Sequence, residues 1–126
     1  MYEITIQKTF SAAHTLDIGS EREELHGHNF KVEAAVASEE LNPDGLVLDF
    51  RVLKQWVGAI LEELDHSFLN ERAPFRDTSP TSEHIARFIY DRLEEMAVPR
   101  GLEVSRVAVW ESEGSKAVYA KSRLSA

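Results

Sequence analysis

The sequence predicts an α+β fold: a four-stranded antiparallel sheet carrying two helices on one face, in the order ββααββ. Three observations point there. Alternating polar and apolar runs occur as a pair near each end of the chain, two stripes at helical spacing lie between them, and clusters of turn residues separate the segments. Strands that follow one another through short turns pair most simply as antiparallel neighbours, and the two apolar stripes then bury themselves against one side of the sheet.

The first segment, "YEITIQKTFSAAHTL", alternates with Ile4, Ile6 and Lys8 on one face and ends at His14. A loop, "DIGSEREEL", leads to a second alternating run, "HGHNFKVEAAVAS", and "NPDG" then supplies four residues that favour turns. From Asp49, a suitable N-cap, the period becomes helical through Val52, Leu53, Trp56, Val57, Ile60, Leu61 and Leu64. After "NERAPFRDTSP", Pro80 opens a second helix with Ile85, Phe88, Ile89, Leu93 and Met96 on one stripe, closed by "VPRG". Two further alternating runs, "LEVSRVAVWES" and "KAVYAKSRL", flank "EGS" as a hairpin.

With 126 residues and 43% hydrophobic content, one domain over residues 1–126 is expected. No apolar run is long enough to span a bilayer, and "MYEITIQKTF" has no basic head followed by an apolar stretch, so no membrane association and a cytoplasmic location are expected. A net charge of -8 without a basic stripe argues against a nucleic-acid partner. The absence of cysteine excludes disulfides, thiolate metal sites and a thiol nucleophile.

The segment "EELHGHNF" carries the strongest chemical signal. Alternate strand residues share a face, so His26 and His28 project together, and His14 at the end of the neighbouring strand can bring a third imidazole. Three neutral nitrogen donors with an open fourth position suit a catalytic zinc ion. A plain pair of surface histidines is the competing reading, and His14 brings the two level. In "ELDHSFL", Asp65 beside His66 can orient an imidazole for proton transfer, or His66 is simply a histidine favoured at a helix C-terminus. Glu111, ending an apolar strand, can accept hydrogen bonds from the amidine-like edge of a heterocycle or face water. Thr81, Ser82 and Glu83 are explained by capping, and His84 by a partly exposed structural place on the helix.

Taken together, "FSAAHTL", "LHGHNFKV", "GLVLDFRVLK", "LDHSFLN", "PTSEHIARFIYDRL" and "VAVWES" resemble, in order and spacing, the 6-pyruvoyltetrahydropterin synthase and 6-carboxytetrahydropterin synthase superfamily. The resemblance implies a tunnelling fold in which three subunits close their sheets into a barrel and two rings stack into a homohexamer with active sites at subunit interfaces. It implies Zn2+ on His14, His26 and His28, a proton relay of Asp65 and His66, a pterin ring anchored by Glu111, and a pocket lined by Thr81 and Ser82. The implied substrate is 7,8-dihydroneopterin triphosphate, from which a base removes a proton before triphosphate leaves.

This chain departs from that pattern at the base. The common bacterial form has its cysteine where this chain has Arg22, whereas a minority branch carries a glutamate three positions before the first histidine of the motif and forms 6-hydroxymethyl-7,8-dihydropterin. Glu23 occupies that position, and Glu24 is the neighbouring acid that could raise its pKa or replace it. Thr15 stands where many relatives have arginine, which leaves Lys31, Arg51 or another subunit's arginines to balance a triphosphate. Three functions follow: a zinc-dependent pterin lyase of the glutamate or cysteine type, a catalytically silent relative that binds zinc and a pterin or purine, and a zinc hydrolase acting on another substrate.

Overall fold

The computed structural model describes residues 1–121. Strand β1 (Tyr2–His14) pairs antiparallel with β4 (His26–Ser38) along its whole length, from Tyr2 opposite Ser38 to His14 opposite His26. Between them the chain folds into a small separate hairpin, β2 (Asp17–Ile18) and β3 (Glu21–Arg22), turning at Gly19, whose φ of 63° suits a residue without Cβ. Helix α1 (Phe50–Glu62) follows, capped by Asp49, whose carboxylate accepts from the Arg51 N–H at 2.8 Å. Then come β5 (Ser67–Phe68), helix α2 (Ser82–Ala97), β6 (Glu103–Ser112) and β7 (Ser115–Tyr119).

The main sheet has five strands in the order β5-β1-β4-β6-β7, which corrects the expected four. The added strand is β5, two residues paired in parallel with Ala12 and Ala13 of β1. Two residues are too short to show alternation, so only tertiary pairing reveals them. Helix α2 also begins later than Pro80. The Pro80 carbonyl accepts from the His14 ring at 2.9 Å, and Thr81 stays extended as the cap, its hydroxyl accepting from the His84 N–H at 3.1 Å. The end of the expected last strand, residues 122–124, lies outside the described residues.

Alternation sorts the sheet into two faces. Ile6, Phe10, Ala12 and His14 of β1 and Phe30, Val32, Ala34 and Val36 of β4 are buried beneath the helices. The helix stripes cover them through Leu53, Val57, Ile60 and Leu61 of α1 and Ile85, Ile89 and Leu93 of α2. Phe10 and Phe30 stack at 4.9 Å directly beneath the histidines. The opposite face carries Gln7, Ser11, Asn29, Glu33, Arg106 and Trp110, joined by contacts such as Arg106 to Glu33 at 2.7 Å and Lys31 over the Trp110 ring at 4.3 Å. No helix of the described residues is long and apolar enough to cross a membrane.

Candidate active site

His14, His26, His28 and Glu111 converge at one end of the sheet, on its helix-covered side. The β1–β4 register sets His14 opposite His26, and His28 follows two residues on, facing the same way. Glu111 on β6 continues the buried series Val107 and Val109 and reaches the same place.

The ring nitrogens are arranged as metal ligands. His14 is fully buried, and its Nδ1 faces the Pro80 carbonyl at 2.9 Å, while His26 Nδ1 faces the Glu24 carbonyl at 2.8 Å. A carbonyl can only accept, so both Nδ1 atoms carry hydrogen and both Nε2 atoms turn inward, 3.0 Å apart. His28 Nε2 lies 2.8 Å from Glu111 Oε1 but off the line a ring N–H needs, so this buried atom has no hydrogen-bond partner. The same Oε1 is 3.5 Å from His26 Nε2 and 3.7 Å from His14 Nε2. Donors around a tetrahedral zinc with bonds of about 2.05 Å are about 3.3 Å apart, and these separations, in a group whose four donor atoms all lie within 4.8 Å of one another, are of the size that a divalent ion can draw together.

The electrostatics favour a cation as well. The bond to the Glu24 carbonyl, then the nearby Glu23 and Glu111 carboxylates, hold His26 above the usual imidazole range, whereas burial holds His28 below it. Both carboxylates that raise His26 are negative charges that a bound cation would offset.

Glu23 and Glu24 part company. Glu23 is half-buried, fixed by its N–H to the Leu16 carbonyl at 2.8 Å, and its Oε1 is buried without a partner. Its charge acts on both His26 and His28, whereas Glu24 is exposed and offers them only its backbone carbonyl. Ser82 Oγ lies 3.5 Å from Glu111 Oε2, and Thr81 is occupied as the helix cap.

Asp65 and His66 form a second centre. The Asp65 carboxylate accepts from the Ser11 N–H at 2.9 Å and lies 3.0 Å from His66 Nδ1; the Ser11 bond first, then His66, hold it below the usual carboxylate range. His66 adopts φ 54°, a left-handed conformation uncommon outside glycine, and its N–H is locked to the Ser11 carbonyl. Its ring is 82% exposed and borders a cleft of about 500 Å³ that also touches Ser11, Ala13, Asn29 and, from the tripod, His28. Among the described residues, no hydrogen bond or ion pair joins this pair, held on the edge of β1, to the histidine tripod. Arg51 is paired with Asp49, and Lys31 stacks on Trp110, so neither expected cation reaches toward the tripod.

Sequence reasoning missed Asn70. Its side-chain amide accepts from the Thr15 N–H and donates to the Thr15 carbonyl, both at 2.9 Å, which fixes the residue after His14. An Asn in a loop after "LDHSFL" gives no such signal on its own.

A family model described as 6-pyruvoyl tetrahydropterin synthase matches residues 3–122. The chain belongs to that family. It is an enzyme of the pterin-synthase type. It is 40% identical to the 6-carboxy-5,6,7,8-tetrahydropterin synthase of Synechocystis sp., over 99% of this chain and 98% of that protein. It is 38% identical to the dihydroneopterin monophosphate aldolase of Pyrococcus furiosus, over 86% of this chain and 88% of that protein. A solved structure of Plasmodium vivax 6-pyruvoyltetrahydropterin synthase in which a catalytic glutamate is replaced by alanine superposes with a TM-score of 0.78 at 25% identity, covering 94% of this chain and 96% of that one. The tunnelling fold expected from the motifs is the fold of these relatives.

Proposed function

We propose that this protein is a zinc-dependent lyase that cleaves the side chain of a phosphorylated 7,8-dihydroneopterin, with Glu23 as the base and 6-hydroxymethyl-7,8-dihydropterin as the product. The observation that carries the reading is Glu23, half-buried with one unpartnered carboxylate oxygen and a charge that acts on both His26 and His28, in a chain without any cysteine. A glutamate named as catalytic in the P. vivax enzyme and an aldolase among the relatives support the same choice.

His14, His26 and His28 would hold the zinc, which supplies Lewis acidity toward the side-chain hydroxyls of the substrate. Glu111 would hold the amidine-like edge of the pterin, with Thr81 and Ser82 lining the pocket beside it. Glu23 would take the proton of the 2′-hydroxyl; the C1′–C2′ bond breaks, C2′ becomes an aldehyde, and the electron pair passes to C1′ and the adjoining C6=N5 unit. Return of a proton to C1′ completes the hydroxymethyl group and leaves a glycolaldehyde phosphate. Asp65 and His66 would relay protons, with the Ser11 N–H keeping Asp65 ionised beside the His66 ring.

Because that pair sits on the exposed edge of β1 with no hydrogen bond or ion pair to the tripod among the described residues, a complete site would draw Asp65 and His66 from another copy. The free edges of β7 and of most of β1 offer the pairing, and the reading is a homohexamer of two stacked three-subunit barrels. Thr15 adds no cation at the site, which suits a monophosphate better than a triphosphate.

The test is incubation of zinc-loaded protein with 7,8-dihydroneopterin monophosphate and triphosphate in parallel, with products identified by mass spectrometry. A hydroxymethyl product with a glycolaldehyde phosphate, lost in Glu23→Ala, is expected. A carboxy or pyruvoyl product, or turnover that survives Glu23→Ala unchanged, would overturn the assignment.

A further inference from the structure

Glu111 is positioned as a fourth ligand rather than as a bystander. One of its oxygens, Oε1, is 2.8, 3.5 and 3.7 Å from the three inward-facing Nε2 atoms, close to the roughly 3.3 Å edges of a tetrahedral zinc site. Its other oxygen, Oε2, faces Ser82 Oγ at 3.5 Å. Three histidines and one carboxylate form a closed set of four, and a closed set leaves no position for a substrate oxygen.

The backbone at Glu111 is irregular. Pairing of β6 with β4 ends at Trp110 opposite Lys31, and pairing with β7 passes from Trp110 to Ser112 with a shift of register between them. Glu111 is thus held by neither ladder, at the kind of irregularity that re-aims a side chain.

The two tasks open to this carboxylate compete for Oε1. The 2-amino group and N3–H of a pterin present two parallel donors about as far apart as two carboxylate oxygens, so a full fork-to-fork contact uses both Oε1 and Oε2. Oε1 would then have to divide its two lone pairs between ring and metal, which weakens its hold on the metal. We propose that Glu111 caps the metal in the resting enzyme and leaves it to grip the pterin ring, so that recognition of the ring is what frees the coordination position for the side-chain hydroxyls. The exchange rests on the pterin reading above; the capping does not. Its consequence is selectivity: molecules with hydroxyls but without a pterin-like edge meet a closed site.

The test uses the protein loaded with Co(II), whose visible absorption reports its ligands, and the bare ring 2-amino-4-oxopteridine, which has no side chain to bring to the metal. At rest, Glu111→Gln should change the Co(II) spectrum and weaken metal binding about ten- to a hundred-fold in competition with a chromophoric chelator. Saturating pteridine should shift the spectrum of the unaltered protein and leave that of the Gln variant unchanged. Glu111→Asp, shorter by one methylene, gives the same comparison if the Gln variant does not fold.

Identical resting spectra and affinities in the variant and the unaltered protein would overturn the capping. Pteridine bound, as read by its fluorescence, without a spectral shift would overturn the exchange, as would an equal shift in the Gln variant, which would show the ring itself on the metal. A resting difference with no pteridine bound at any concentration would overturn the pterin reading and the exchange with it, while supporting the capping.

Discussion

Replacing Asn70 tests whether the loop after Asp65 and His66 positions His14, the proposed metal ligand on β1. The Asn70 amide makes two hydrogen bonds of 2.9 Å to the backbone of Thr15, one as acceptor and one as donor. At about 0.5–1.5 kcal/mol net for each bond, Asn70→Ala should cost about 1–3 kcal/mol, because both groups are part-buried and only partly recovered by water. Asn70→Asp is the sharper probe. It keeps an acceptor for the Thr15 N–H but sets a carboxylate oxygen against the Thr15 carbonyl, so the aspartate should recover at most one of the two bonds. Urea unfolding of the metal-free protein at fixed protomer concentration gives both values. Since Thr15 follows His14 directly, zinc affinity should fall in both variants as well. Values for both within about 0.5 kcal/mol of the unaltered protein would refute the idea that this clamp shapes the site.

Zinc at a hundred times its Kd should stabilise the protein by about 2.7 kcal/mol, a rise in Tm of roughly 10 °C that a chelator reverses and that His14→Ala abolishes in differential scanning calorimetry. Glu23→Gln should reduce turnover by about a hundred-fold or more while metal content, measured by atomic emission, stays the same. Glu33 is held below the usual carboxyl range first by the Gln7 amide and then by Arg106. Its contribution is therefore fully present above the ordinary Glu value and is lost as pH falls from there through its lower folded value. Unfolding followed across that acid range should show a shallower decline in Glu33→Gln, and equal slopes would remove Glu33 from the acid limb.

Much of the site was legible as spacing. "HGH" on a strand and a histidine ending its antiparallel neighbour are enough to bring three imidazoles together, because strand period and pairing leave few alternatives. Glu111 was legible as a strand-end carboxylate, but its contact with His28 was not, since that depends on where β6 ends against β4. The choice between Glu23 and Glu24 was equally hidden: both are acids in one loop, and only the fold around Leu16 turns one inward. The five-stranded sheet escaped notice because β5 is two residues long, and the late start of α2 because Pro80 gives its carbonyl to His14.

By itself, the sequence determined the α+β pattern, the absence of thiol chemistry and the face on which the histidines project, since these follow from composition and local period. Only the tertiary structure decided that Glu111 lies against the three histidines, that Asn70 clamps Thr15, and that Asp65 and His66 are held on the edge of β1. Each of these joins residues far apart in the chain, and such contacts are set by register, loop closure and packing, which local patterning does not encode.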